Sequence, residues 1–454
     1  MNIEEKIIEY ILNKYEKIKI NSKEIKKGDI FLALKGKNFH GNKYIDESIK
    51  NGAKYCITDK KTKSKNKNIL IIKNTLFFLE KIAKIKRSYY KGNIIGVTGS
   101  AGKTTLKENL SFFLKKNFKI SKSIKSYNNL LGVLISILNL NLKSKYAIFE
   151  IGTNNFGEIA KLTFLIKPKQ IFITNIQSTH LMNFKNKKNI AIEKSNIFFK
   201  KYNSESKILY LINQSSEEEL INKYAIKEKI KVIKVGERYS KIYLKTVERK
   251  KNYFLLLFFL KNKFYTLKTK HYFSHQIKNL LFCLCFFVEN KIDTKVIFKY
   301  YDRLPAVEGR GKIHNLTINN SKIKFIDETY NANPDTMIQC IKYFDEIKYN
   351  KYEKILILGD MNELGNQSIH LHLKIIEFLS NYKFHNVILC GKFFKSAVNK
   401  LKKNNMNYII LTSKKNLYNH VNKYFHKKAI IMAKCSNNTE VNRFAKKLIK
   451  LGDK

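Results

Sequence analysis

A multidomain α/β fold built on parallel sheets is what this sequence predicts, and three observations predict it. Short apolar runs of strand length alternate with helix-period stretches along most of the chain. A Gly-rich turn directly follows one such run and opens a helix. The length, 454 residues, exceeds what one hydrophobic core usually serves, and at about 150 residues per domain it gives roughly three domains.

Taken in order, residues 1–87 read as a small α/β domain: an amphipathic helix near 3–16, a strand at Ile30 to Leu34, strands near Tyr55 to Thr58 and Ile69 to Ile72, then a helical stretch over about 75–90. Residues 88–312 open with a strand at Ile94 to Thr98 and a helix from Lys103, followed by strands at Ala147 to Glu150, Ile171 to Thr174 and Ile208 to Ile212. Between 241 and 269 three β-rich runs with short polar turns predict an antiparallel meander, and 275–300 returns to helix. Residues 313–454 alternate again, with strands at Ile323 to Ile326, Ile355 to Leu358, Val387 to Leu389, Ile409 to Leu411 and Ile430 to Met432, which predicts a Rossmann-like module. Asn333 before Pro334 suits the cap and first turn of a helix running from Asp335.

Composition narrows the functional classes. The longest apolar runs, Tyr253 to Leu260 and Leu280 to Val288, fall far short of the ~20 residues of a membrane-spanning helix. The first residues show no leader pattern, so a cytoplasmic protein is expected. The six cysteines form no C-x-x-C pair and read as small buried side chains. The net charge of +52 taken alone points to nucleic acid. It is carried almost wholly by Lys spread over the whole length, with Arg only at 87, 238, 249, 303, 310 and 443, whereas a nucleic-acid groove favours clustered, bidentate Arg. The charge is read as solvated faces, and a basic nucleic-acid-stimulated NTPase stays as the alternative of another class.

The chemistry concentrates at Thr98-Gly-Ser-Ala-Gly-Lys-Thr-Thr105. Backbone amides of Gly99, Ser100, Ala101 and Gly102 at a helix N-terminus can cradle phosphate oxygens, Lys103 can neutralise them, and the hydroxyl of Thr104, beside Thr105, can reach Mg²⁺. Val97 stands where the full phosphate-loop spacing has its first Gly. Glu150 ends an apolar strand at the edge where α/β sheets place ligands, a plausible magnesium partner. By themselves, His180 reads as a surface or satisfied histidine and Lys194 as one of many solvated lysines.

These stretches, with Tyr127-Asn-Asn129, Phe149-Glu-Ile-Gly152, Gly157-Glu-Ile159, Thr174-Asn175, His180-Leu181 and Glu193-Lys194, resemble the Mur ligase family. Glu308-Gly-Arg310, Asp327-Glu-Thr-Tyr-Asn-Ala-Asn-Pro334, Leu358-Gly-Asp-Met-Asn-Glu-Leu-Gly365 and His372 resemble the branch that joins UDP-N-acetylmuramoyl-tripeptide to D-alanyl-D-alanine. Gly28-Asp-Ile-Phe-Leu-Ala-Leu-Lys-Gly36 and Asn51-Gly-Ala53 fit its UDP-binding domain. The resemblance covers nearly the whole chain in the family's three-domain order. It implies an amide ligase using ATP and Mg²⁺, monomeric, without nucleic acid. Lys103, Thr104 and Glu150 would serve the phosphates and a first magnesium, with His180 and a carbamylated Lys194 at a second. Arg310 would reach the phosphates and Asn279 the adenine, while Ser22, Tyr330, Asn331 and Asn333 would serve the substrate. Asn21-Ser22-Lys23, Leu134, Gln276 and Ala433-Lys-Cys-Ser-Asn437 depart from the family's pattern. A sister ligase or a folylpolyglutamate-type ligase is the nearest alternative.

Overall fold

The computed structural model describes the chain except for residues 1, 37–38, 213–214, 237–240, 252, 270–271, 273, 319, 348–351, 385, 402–407, 412–413, 426–427 and 453–454. Among the described residues the strands collect into four sheets. The first is parallel and runs in chain order: Ile18–Lys19, Ile30–Ala33, Tyr55–Thr58 and Ile69–Ile71. Its second and third strands are buried along their whole length, as expected of nearly continuous apolar runs in a parallel sheet covered on both faces.

The second sheet decides where a ligand can sit. Its six parallel strands lie in the order Lys231–Lys234, Ile208–Leu211, Gln170–Ile173, Asn93–Thr98, Tyr146–Glu150 and Ile120–Lys122. The first strand in the chain, Asn93–Thr98, is thus central, and later strands are added on both sides of it. Such a reversal leaves a crevice beyond the C-terminal strand ends, here Thr98, Glu150 and Ile173. The third sheet is the expected antiparallel meander, Ile242–Arg249, Phe254–Leu260 and Lys263–Thr269. The fourth runs Lys312–Ile318, Ser321–Glu328, Ala429–Lys434, Glu353–Gly359, Asn386–Cys390 and Tyr408–Leu411, parallel except for its first hairpin.

Some elements differ from the sequence reading. The first helix stops at Asn13, and Glu16 has a left-handed φ of 57°. The helix expected over 275–300 is two, Ser274–Glu289 and Lys295–Tyr300. Lys291 turns left-handed, the Ile292 amide bonds back to the Phe287 carbonyl, and Asp293 accepts from the Lys295 amide to open the second helix. No Gly or Pro marks that break, so the apolar pattern reads straight through it. The helix after Asn333 starts at Pro334, with Asn333 and Thr336 completing a reciprocal cap. All six cysteines are buried and free.

The N-terminal domain is tied to the central one by buried polar contacts. Asn139 donates to the Ile18 carbonyl and accepts from the Ile18 amide, as a neighbouring strand would. Lys86, fully buried, donates to the carbonyls of Ile11 (2.7 Å), Lys14 (2.9 Å) and Leu138 (2.7 Å), two of which close helix C-termini. Burial pulls its pKa down to about 7. An ammonium has three N–H donors and a neutral amine two, so the three acceptors fit the charged form. Lys86→Met strands all three carbonyls, and chemical denaturation should show a loss of roughly 3 kcal/mol.

Candidate active site

Between the strand Asn93–Thr98 and the helix Lys103–Leu114 the chain turns through two left-handed glycines, Gly99 at φ 140° and Gly102 at φ 81°. Gly102 caps the helix without a side-chain bond, so no capping group takes up the amides that begin it. The loop is fastened from behind. The Ala101 amide donates to Asn175 Oδ1 (2.9 Å), Thr174 Oγ1 donates to the Ala101 carbonyl (2.5 Å), and the Gln177 amide donates to Ser100 Oγ (2.9 Å). Lys103 Nζ folds back onto the Gly99 carbonyl at 2.9 Å.

Glu150 pairs in register with Val97, so its side chain emerges beside this loop. Its carboxylate is 1% exposed and accepts from Thr104 Oγ1 (2.8 Å) and Asn128 Nδ2 (2.9 Å), with Lys107 Nζ at 3.6 Å. Loop and acidic strand end therefore share one site. Burial pulls the Lys103 ammonium down, Glu150 partly restores it, and Arg310 opposes it further. Lys107 is lowered by burial as well, against Glu150 and Glu108.

Lys194 is 2% exposed, and no hydrogen bond or ion pair joins its ammonium to any described residue. That overturns its reading as a solvated lysine. Burial, then repulsion from Lys103, pulls it well below the usual lysine range. Its neighbour Glu193, equally buried, accepts from the amides of Gly157 and Ile159 (both 2.9 Å) and so closes the N-terminus of the helix Glu158–Ile166.

The fourth sheet brings the opposite wall. The Arg310 guanidinium lies 4.2 Å over the ring of Tyr330, whose hydroxyl is hydrogen-bonded to Ser126 Oγ. Asn333 Nδ2 donates to Gln177 Oε1 (3.1 Å), Asp335 accepts from the Ser178 amide (3.0 Å) and faces Lys187 (3.4 Å). His180 Nδ1 lies 2.6 Å from Glu363 Oε2, which holds the Glu363 carboxyl below its usual range. Asn331 is exposed, and its carbonyl accepts from Lys434, which also pairs with Glu328. His372 is buried in a supporting role. Nδ1 contacts the Ser368 carbonyl, Nε2 accepts from the Met361 amide, and burial lowers its pKa to about 4.

The cavity between these walls holds about 290 Å³ and is lined by Ser100, Ala101, Gly102, Lys103, Thr105, Glu150, His180, Asn279, Arg310, Tyr330, Asn331 and Asn333. Asn279, 4% exposed, sits against the loop, its Oδ1 3.6 Å from where a Cβ on Gly102 would be. Gly99, Thr104 and Lys194 are not among the lining residues, although Lys194 is close enough to Lys103 to be repelled by it, and Ser22 lies apart in the N-terminal domain, its carbonyl accepting from Asn51. Asn333 lines the cavity while its side chain is engaged in the helix cap and the Gln177 bond. Sequence reasoning did not single out Asn128, Lys107 or Gln177. Asn128 stood in a quoted motif without a role, and Lys107 was hidden among the lysines.

Three family models match: the Mur ligase middle domain over 97–287, the Mur ligase glutamate ligase domain over 314–437, and the Mur ligase family catalytic domain over 14–87. A UDP-N-acetylmuramoyl-tripeptide–D-alanyl-D-alanine ligase of Rickettsia prowazekii is 30% identical over 94% of this chain and 93% of its own. That of Bacillus subtilis is 24% identical over 94% and 92%. Among solved structures, MurF from Acinetobacter baumannii superposes with a TM-score of 0.80 at 21% identity, covering 98% of both chains. MurF from Thermotoga maritima in complex with ADP gives 0.76 at 24%, over 98% and 99%.

A Cβ at Gly99 would meet Thr174 Oγ1 at 1.9 Å and sit on a backbone that L residues rarely adopt. Gly99→Ala should weaken binding of a non-hydrolysable triphosphate nucleotide by roughly tenfold or more, the scale of 1–3 kcal/mol of backbone strain, with circular dichroism unchanged. Calorimetry checks it.

Proposed function

The chain belongs to the Mur ligase family, and from that premise we propose that it uses ATP to join D-alanyl-D-alanine to a UDP-N-acetylmuramoyl-tripeptide. The observation that carries the reading is the shared site of the phosphate loop and Glu150, walled by Arg310 from the domain junction and Tyr330 from the last domain. The γ-phosphoryl group passes to the terminal carboxylate of the tripeptide, the free amine of the dipeptide attacks the acyl phosphate, and ADP and phosphate leave. The product is a pentapeptide precursor of peptidoglycan. The site of action is the cytoplasm, and no helix among the described residues is long and apolar enough to cross a membrane. The working unit is a monomer that needs no nucleic acid.

Each group has a task in this scheme. With the Ser100 and Ala101 amides taken by Asn175, the amides from Gly102 into the first helical turn orient the phosphates, Lys103 and Arg310 offset their charge during transfer, and Asn279 backs the loop on the nucleotide side. Thr104 and Glu150 are the hard oxygens for magnesium, which suits an oxygen-seeking cation, and Asn128 aims the carboxylate. When bound, magnesium supplies charge neutralisation at the β/γ-phosphates. Lys194 is suited to carbamylation because it is buried, its side chain is without a hydrogen-bond or ion-pair partner among the described residues, and it is held toward the neutral, nucleophilic amine. As a carbamate it presents an anion, with His180, to a second cation. Tyr330, Asn331 and Asn333 line the acceptor side, and Ser22 serves the uridine end.

ADP release, measured with each substrate omitted in turn, should require both UDP-N-acetylmuramoyl-tripeptide and D-alanyl-D-alanine. Turnover with glutamate or a single amino acid as acceptor, or stimulation by nucleic acid, would refute the assignment. Lys194→Ala should lose activity at least 100-fold, with partial return on adding a short carboxylic acid. In the unaltered protein ¹³C-bicarbonate should give a carbamate resonance that the variant lacks.

A further inference from the structure

The histidine that caps the short helix Leu181–Phe184 of the central domain and the Met361–Gly365 loop of the last domain meet in an unusually specific way. His180 and Glu363 both hold left-handed backbones, at φ 52° and 65°, and their side chains meet at 2.6 Å. The Met182 amide donates to the Glu363 carbonyl at 3.2 Å, so the two backbones are bonded across the domain boundary. Gly365, at φ 60°, lies so near that a Cβ would come within 3.1 Å of Met182 Cα. The Glu363 loop is itself braced by the bond from the Met361 amide to His372. Left-handed non-glycine residues cost roughly 1–3 kcal/mol each and persist where surrounding structure enforces them, often at functional sites. Neither residue of this pair is a glycine, although both take a backbone that favours one, and the contact they make is between two functional groups.

We propose that Glu363 is a positioning residue for His180: by taking the hydrogen bond at Nδ1 it keeps Nε2 unprotonated and turned to the cleft, ready to ligate a cation. This rests on the reading of His180 as a cation ligand. A histidine ligand commonly donates its second ring N–H to a carboxylate, which fixes both tautomer and ring orientation. Here that carboxylate comes from a different domain. Docking of the last domain and completion of the cation site are then one event, and a cleft still open has a histidine free to rotate and to carry its proton on either nitrogen. The ring packs edge-on against Phe184, which leaves the Glu363 bond to select the nitrogen that is protonated.

The full-length protein, its Glu363→Ala and Glu363→Gln variants, and His180→Ala test this. Glu363 has a side chain 56% exposed, so its removal should leave the thermal melt in place. In ¹⁵N-histidine NMR spectra, His180 of the unaltered protein should carry its proton on Nδ1, and Glu363→Ala should shift it toward Nε2. The magnesium concentration for half-maximal turnover should rise roughly 10–100-fold in Glu363→Ala, with KM for ATP nearly constant. Glu363→Gln should keep most of both properties, because its carbonyl oxygen accepts the same bond. An unmoved tautomer, or an unmoved magnesium requirement when domain docking loosens in X-ray scattering, overturns the proposal and leaves Glu363 a mere latch. If His180→Ala itself leaves the magnesium requirement unchanged, the underlying assignment of His180 fails. If that variant shifts it and Glu363→Ala does not, only the positioning role fails.

Discussion

One buried carboxylate organises the cleft. Glu150 is taken out of water at the end of a strand, and around it converge Lys103, Lys107 and, by way of Lys103, Arg310 from the domain junction. Charges of one sign brought together in a poorly solvated site repel more strongly than in water, and Glu150 shares only Lys107 with a second carboxylate, Glu108. Its bonds to Thr104 and Asn128 fix its direction, and Lys107 supports it from behind. What remains at the front is net positive charge beside the open amides of a helix N-terminus. That arrangement attracts a polyanion, and it places an oxygen ligand where the cation accompanying that anion would lie.

The two domain junctions differ in kind. The N-terminal domain is attached through largely buried groups, with Lys86 satisfying three carbonyls and Asn139 completing a strand's bonding. Opening that junction would strand polar groups away from water. The last domain is attached near the cleft by side-chain bonds that are part-exposed in several cases: Lys187 with Asp335, His180 with Glu363, Ser126 with Tyr330. Such contacts exchange readily for water, so little free energy opposes their opening. A ligase must admit three substrates and then exclude water from an acyl phosphate, and the weaker junction is the one that walls the cavity.

Much of this was legible in the chain. Apolar runs located the parallel strands, and the turn before Lys103 was readable because glycine and lysine at that spacing have few other uses. Asn333 and Pro334 marked their helix start. What escaped had physical reasons. The hairpin strand Lys312–Ile318 alternates polar and apolar residues at an edge, which weakens its signal. The break at Lys291 has no glycine. Asn128, Gln177 and Glu363 act by pairing with residues 22, 156 and 183 positions away, separations that no local pattern encodes.

The lysines are the instructive case. In a chain with 88 basic residues and a net charge of +52, the presence of a lysine at a given position says almost nothing. Burial restores the information, because withdrawing an ammonium from water is costly unless something compensates. Lys86 is compensated by three carbonyls and Lys107 by two carboxylates and two carbonyls, so each has a structural explanation. Among the described residues Lys194 has no such hydrogen-bonding or ion-pair partner, and the attraction of Glu193 is outweighed by burial and by the nearby Lys103. A residue whose folded environment opposes its own charge is either a cost the fold carries or a group whose reactive form is the uncharged one, and its closeness to Lys103 of the proposed phosphate loop favours the second.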